Sequence, residues 1–381
     1  MIKKHLGIYV HVPFCVSKCA YCDFYSLPCE SKKITDELKT DYVRALIRDM
    51  EKTAPLYENA VIETVFVGGG TPTLLPTPAI RELTGAMRRI FDLSEVKEFT
   101  FEANPATFDA EKLTAMRECG VDRLSIGMQS ASDTELSALG RIHTFSDTKN
   151  AVELARKCGF ENINLDIMCG IPYQTRESFA STLRSAMEIS PEHVSVYGLQ
   201  LEEGTPLCKN KDSYVFPSED EEYDMTMSIA PILSENGYER YEISNYAKKG
   251  YECKHNLGYW TQGEYLGFGC GAYSFANGER FYRERDIYKY LSCSDFSDMT
   301  VIDETLSSDD RAEEFIMLSL RLSKGLSTEK LRAMTNKAET YIERTEKLIK
   351  LGFMKKNGER ISFTDKGFNV SNGLIAEIIY G

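Results

Sequence analysis

The stretch GIYVHVPFCVSKCAYC, Gly7 to Cys22, decides how the rest of the chain is read. Its first part, Gly7–Val12, is rich in β-branched and aromatic residues and predicts a strand. Pro13 ends the run, and Cys15, Cys19 and Cys22 follow at once with CxxxCxxC spacing. Three thiolates on one loop can hold three irons of a cubane and leave the fourth iron without a protein ligand. A loop directly after a strand lies at the end of a β-α fold where ligands bind.

Outward from this loop, short apolar strands alternate with helical segments. Asp36–Thr53 predicts a helix with Leu38, Tyr42, Leu46 and Met50 on one face. Strands are expected at Val61–Val67, Glu98–Glu102, Arg123–Gly127, Asn162–Met168 and His193–Leu199. Helices at Pro78–Phe91, Ala110–Cys119, Ser146–Cys158 and Arg176–Ile189 separate them. Six β-α units in succession imply an α/β fold with a parallel sheet and right-handed crossovers. The pattern fits an open doubly wound sheet or an incomplete barrel. Beyond it come a helix at Glu219–Asn236, a strand at Arg240–Ser244 and a turn-rich section at Tyr259–Gly278, full of glycine and aromatics. From about Ser307 the character changes: helices at Asp309–Ser323, Thr328–Met334 and Ala338–Leu351 precede a hairpin about Asn357-Gly358. Three regions are expected: 1–237 with the cysteine loop, 238–306 as a Gly/aromatic-rich extension, and 307–381 as a winged-helix-like α+β module.

Composition narrows the function. The chain has 381 residues and a formal charge of −13, which argues against a nucleic-acid binder and allows peripheral membrane contact at most. The module at 307–381 therefore reads as an interaction platform or lid. Eleven cysteines in so long a chain point to thiols rather than disulfide staples, and one tight cluster points to metal. Lys3 and Lys4 precede a short apolar run, but His11 and Pro13 interrupt it and no small-residue cleavage site follows. A cytoplasmic protein is expected.

The CxxxCxxC loop, with Tyr21 before its last cysteine, resembles the radical S-adenosylmethionine (SAM) superfamily. The resemblance implies a [4Fe–4S] cluster on Cys15, Cys19 and Cys22 whose open iron chelates the amino and carboxylate groups of SAM. Reduction then cleaves SAM to a 5′-deoxyadenosyl radical, chemistry that belongs to the cofactor. Cys29 is set aside as a fourth ligand because SAM needs the open iron. Gly68–Thr73, GGGTPT, follows the second strand, and the bare backbone of Gly69, Gly70 and Thr71 can meet the ligand's amino-acid end. Glu102 ends the third strand, where the superfamily places a SAM-binding carboxylate. Gln129 follows the fourth strand, Arg141 lies in Leu-Gly-Arg-Ile-His, and Asp166 is on the fifth strand. Together these form an expected polar ring.

IYVHVPFC (8–15), GGGTPT and LGRIH (139–143) narrow the resemblance to the branch containing oxygen-independent coproporphyrinogen III oxidase and the HemW-type heme chaperone. The likeness runs from about residue 7 to the C-terminus. It implies an incomplete parallel (β/α)6 barrel, with Tyr9 facing SAM and Tyr21 beside the cluster. The oxidase resembles CxxxCxxCxC, but here Phe24 stands at the last position, and Cys15 leaves no room for the oxidase's long N-terminal extension. HNLGYW, 255–260, matches the chaperone's HNxxYW signature. Imidazole ligates heme iron and aromatic faces pack on a macrocycle, so His255, Tyr259 and Trp260 are expected at heme, with Cys253 as an alternative ligand. Tyr173 and Tyr273 depart from the Gly and His common in the branch. The resemblance thus implies a heme carrier that delivers to membrane respiratory enzymes, with a flavodoxin or ferredoxin as reductant. Alternatives are coproporphyrinogen III decarboxylation and a radical SAM reaction on another tetrapyrrole, such as heme ring opening.

Overall fold

The computed structural model describes residues 4–29 and 33–381; Lys3 of the N-terminal run lies outside them. Six strands follow the expected rhythm: β1 (Lys4–Val12), β2 (Ala60–Gly69), β3 (Glu98–Ala103), β4 (Arg123–Gln129), β5 (Asn162–Cys169) and β6 (His193–Gly198). They pair in parallel in chain order. Unbroken sequential order means that every crossover steps in one direction, as in a barrel; a doubly wound sheet would reverse midway. The two edges do not meet, so the barrel is incomplete.

Helices α1 (Asp36–Thr53), α2 (Thr77–Ile90), α3 (Ala110–Glu118), α4 (Phe145–Lys157), α5 (Arg176–Ile189) and α6 (Glu219–Ser234) cover the sheet. Their starts are written locally. Thr144, Thr175 and Ser218 each accept a bond from the residue three positions on, whose side chain bonds back, forming capping boxes for α4, α5 and α6. Aliphatic and aromatic side chains such as Ile8, Val65, Phe101, Leu124, Ile163 and Val194 fill the layer between sheet and helices.

Two expectations need correction. Arg240–Ser244 is not one strand: β7 (Glu239–Arg240) and β8 (Asn245–Ala247) pair antiparallel around a turn. The buried Glu242 carboxylate makes that turn by accepting from Ser244 N at 3.2 Å and from the Asn245 amide. Nor is Tyr259–Gly278 merely turn-rich. It holds β9 (Glu264–Phe268), parallel to the outer edge of β1, and β10 (Tyr273–Ala276), continued antiparallel by β11 (Glu279–Arg283) and β12 (Thr300–Thr305). The glycines that read as turn signals have packing reasons; a Cβ at Gly267 would strike the Tyr273 carbonyl. One twelve-stranded sheet results, ordered β12-β11-β10-β9-β1-β2-β3-β4-β5-β6-β8-β7.

Before β9 lies α7 (Lys254–Trp260), and after β12 come α8 (Ser308–Ser319), α9 (Thr328–Met334) and α10 (Ala338–Lys350). Strands β13 (Leu326–Ser327), β14 (Met354–Asn357) and β15 (Arg360–Phe363) form a small sheet whose hairpin turns at Gly358 with φ +58°. A final helix, α11 (Ser371–Tyr380), completes this part. Its core, built on Phe315, Leu331, Tyr341 and Phe363, is separate from that of the large sheet.

Candidate functional site

The C-terminal ends of β1–β6 surround a cavity of about 540 Å3. Cys15, Cys19, Tyr21 and Cys22 line it from the loop after β1, and Gly69, Gly70 and Thr71 from the end of β2. Glu102, Gln129, Arg141 and Asp166 complete the wall from β3 onward. The polar ring expected from the sequence is thus one surface.

Backbone bonds shape the cysteine loop. Cys22 N donates to Cys19 O at 3.2 Å, and Cys29 N donates to Cys15 O at 2.7 Å. Ala20 N reaches Leu139 O at 3.0 Å, tying the loop to the segment that carries Arg141. Thr71 Oγ1 donates to Cys15 Sγ at 3.7 Å and Arg141 to Cys19 Sγ at 3.4 Å. Burial pushes the Cys15 thiol up to about 11. Among the described residues, no three His, Cys, Asp or Glu side chains converge tightly enough for a single metal ion. A cubane takes each thiolate on a different iron and needs no such convergence. The donor set therefore fits a cluster.

The β2 end is a bare shelf. Gly70 N donates to Val12 O at 2.8 Å and Thr71 N to Phe14 O at 2.7 Å; a Cβ on Gly70 would come within 2.8 Å of both carbonyls. Gly69 has φ +107° and donates its N–H to Glu102 Oε2 at 3.0 Å. Burial, then the nearby Asp166, raises Glu102 to about 7. Burial also raises Asp166 against bonds from Asn164 Nδ2 at 2.8 Å and Ser125 Oγ at 3.3 Å. Gln129 holds φ +64°, a conformation disfavoured for a side chain with a Cβ, at a register slip in β4. Arg141 donates to Gly127 O at 2.9 Å, and its buried Nε has no partner. An orphaned guanidinium nitrogen beside a buried carboxylate pair is a site built to receive a zwitterionic ligand.

Tyr9 is not among the residues lining this cavity. Its hydroxyl bonds His11 Nδ1 at 3.0 Å, and His11 Nε2 bonds Tyr25 O at 2.8 Å. Tyr9 therefore acts on the loop through His11, one layer inside the barrel.

His255, Tyr259 and Trp260 lie at the opposite end. Glu98, the first residue of β3, accepts from Lys254 N at 2.9 Å, His255 N at 3.1 Å and Cys253 Sγ at 3.2 Å. This carboxylate anchors the start of α7 across the N-terminal mouth of the barrel. His255 is 3% exposed. Its Nδ1 meets Thr64 Oγ1 at 2.8 Å, its Nε2 meets Tyr259 OH at 2.8 Å, and its ring stacks on Phe66. Burial lowers it to about 4, so it is neutral. Trp260 packs under the Arg321 guanidinium of the C-terminal part. Both ring nitrogens of His255 are thus engaged and the ring is enclosed. Cys253 is fully buried.

Sequence reasoning missed the residues that set Asp166. Ser125, Asn164 and Ser195 join it through Asn164 Nδ2–Ser125 Oγ at 2.7 Å and Ser195 Oγ–Asn164 Oδ1 at 3.1 Å; His193 bonds Asn164 Oδ1 at 2.6 Å. The signal was available. Asn162-Ile-Asn164-Leu-Asp166 alternates polar and apolar residues, which on a strand between helices and a lumen turns the polar set inward. Phe24, Ile142 and Tyr197 at the cavity wall were not read as site residues either.

Comparison with known proteins matches residues 9–186 to the radical SAM superfamily and residues 306–370 to the HemN C-terminal domain. Heme chaperone HemW of Escherichia coli is 34% identical over 376 residues, covering 97% of each chain. That of Lactococcus lactis is 32% identical over 383 residues, 100% of this chain and 98% of the relative. That of Bacillus subtilis is 35% identical over 323 residues, 84% of each. Among solved structures, coproporphyrinogen III oxidase (HemN) from Escherichia coli superposes with a TM-score of 0.86 at 23% identity, covering 99% of this chain and 90% of that one. This last likeness speaks for the fold.

Proposed function

On the premise that the chain belongs to the radical SAM superfamily and, within it, to the heme chaperone HemW family, we propose that it is a heme carrier working in the cytoplasm with a SAM-ligated [4Fe–4S] cluster. The superfamily implies SAM and the cluster; Cys15, Cys19 and Cys22 are the ligands this geometry offers. Supported by an electron donor such as a flavodoxin or ferredoxin, the cluster supplies single-electron chemistry at the SAM sulfonium.

The chain's own part is placement. The shelf of Gly69, Gly70 and Thr71 admits the amino-acid end of SAM, with Glu102 accepting from its ammonium. Arg141 has a free nitrogen for its carboxylate, and Gln129 and Asp166 offer acceptors to the nucleoside. Tyr21 lies beside the cysteines, and Tyr9 holds His11 against the loop. Heme passes from this protein to a respiratory enzyme at the membrane. Among the described residues no helix is long and apolar enough to cross a membrane. The regions 1–237, 238–306 and 307–381 serve as cluster-bearing barrel, extension and docking module.

One observation carries the carrier over the oxidase: Phe24 occupies the place of the oxidase's extra cysteine and opens onto the cavity. The test is anaerobic reconstitution followed by heme titration, monitored at the Soret band. A carrier binds heme stoichiometrically and leaves its spectrum intact with SAM present. Loss of propionate carboxylates from coproporphyrinogen III, or consumption of heme together with SAM, would replace this reading with an enzymatic one.

A further inference from the structure

The placement of heme rests on the carrier reading and takes it further. At the barrel's N-terminal end His255, within α7, is enclosed, and the exposed His5 has its Nδ1 on Glu63 at 2.8 Å. The other end presents an apolar lip. Phe24, Ile142 and Tyr197 all line the SAM-side cavity and are 71%, 44% and 42% exposed. They come from three separate places: the cysteine loop, the segment after Arg141 and the end of β6. Large apolar side chains left in water around one opening mark a ligand face rather than a core. Lys18, exposed in the cysteine loop, brings a cation to the same cavity, which Asp23 and Glu202 also line.

We propose that heme seats at this mouth, above the SAM cavity, with its faces on Phe24, Ile142 and Tyr197 and its propionates turned to Lys18. The chemistry is complementary on each count. A flat macrocycle presents apolar faces to the lip, and its two carboxylates are drawn to Lys18. No histidine is among the described residues lining the cavity. Recognition therefore lies in the porphyrin and its propionates, not in an imidazole–iron bond. Phe24 then has a positive role: where the oxidase's motif has a thiol, this chain supplies an aromatic platform.

The test uses the full chain with its cluster reconstituted anaerobically. It is titrated with hemin and, separately, with metal-free protoporphyrin IX, followed by Soret absorbance and porphyrin fluorescence. The two should bind with affinities within about threefold, a difference under about 0.7 kcal/mol. Phe24→Ala and Ile142→Ser should each weaken both by about tenfold, while His255→Gln leaves them unchanged. Ile142 lies away from the cysteines in sequence, and iron content checks that the cluster survives in each variant. Failure of protoporphyrin IX to bind where hemin does overturns the placement without any variant. So does loss of hemin binding in His255→Gln with Phe24→Ala and Ile142→Ser unaffected. If the unaltered protein binds no hemin at all, the carrier reading itself falls; if it binds hemin and the mouth variants bind equally well, only the placement falls.

Discussion

The two ends of the barrel are built from the same strands and could hardly differ more. Glu98 and Glu102 sit on β3 four residues apart, an even spacing that puts both on one face. At the N-terminal end, Glu98 accepts three bonds from α7, and His255 above it has both nitrogens engaged. At the C-terminal end, Glu102 accepts one backbone bond, Arg141 keeps an unpartnered nitrogen, Gln129 stands in the left-handed region and apolar rings face water. Orphaned nitrogens do not separate the ends, since Arg123 Nε at the start of β4 is also buried without a partner. A histidine motif read alone points to the first end; the cysteine loop, the left-handed Gln129 and the exposed rings point to the second.

The sharpest break of this contrast is at the cysteines. Replacing Cys15, Cys19 and Cys22 with Ala should abolish the cluster's visible absorbance and bound iron after anaerobic reconstitution. Unchanged iron content would end the cluster assignment. The next test concerns His255, whose value of about 4 lies below the usual 6.5. The unfolded chain takes up a proton there as pH falls from 6.5 while the folded chain does not until near 4, so folding loses stability across that window. His255→Gln removes this term. Its stability deficit at pH 7 should therefore shrink by about 3 kcal/mol on acidification to pH 4, read from urea midpoints. A deficit independent of pH would mean that the imidazole titrates in the fold as it does unfolded, open to water.

Much of this was legible in the chain. The six strands, their flanking helices and the Asn357-Gly358 hairpin follow from period and turn chemistry, and the cysteine spacing located the cavity. What escaped was set by distant partners. β9 is a five-residue strand with a glycine in it, and only pairing with the free edge of β1 makes it one. Arg240–Ser244 has strand-like residues, yet a buried Glu242 folds it back. HNxxYW carried the right residue types for heme, but the contacts of His255 depend on Thr64, 191 residues earlier in the chain, on Phe66 and on Glu98, 157 residues earlier. The polar run from Asn162 to Asp166 could have been read for its alternation and was not.

The paired glutamates give the finest test of the comparison. Glu98→Ala strips three donors of their acceptor at a closed end and should cost about 3 kcal/mol of stability, with SAM affinity of the remaining folded protein unchanged. Glu102→Gln does the reverse. Its amide oxygen can still accept from Gly69 N, so the fold barely changes and the urea midpoint stays within error. The carboxylate charge that would meet the SAM ammonium is gone, so SAM should bind about tenfold more weakly, measured by calorimetry on the reconstituted protein. The crossed result decides the matter. Were Glu102→Gln to lower stability as Glu98→Ala does while SAM binding held, the carboxylate at the open end would be a structural group like its neighbour. The difference between the two ends would then lie in the cysteine loop alone.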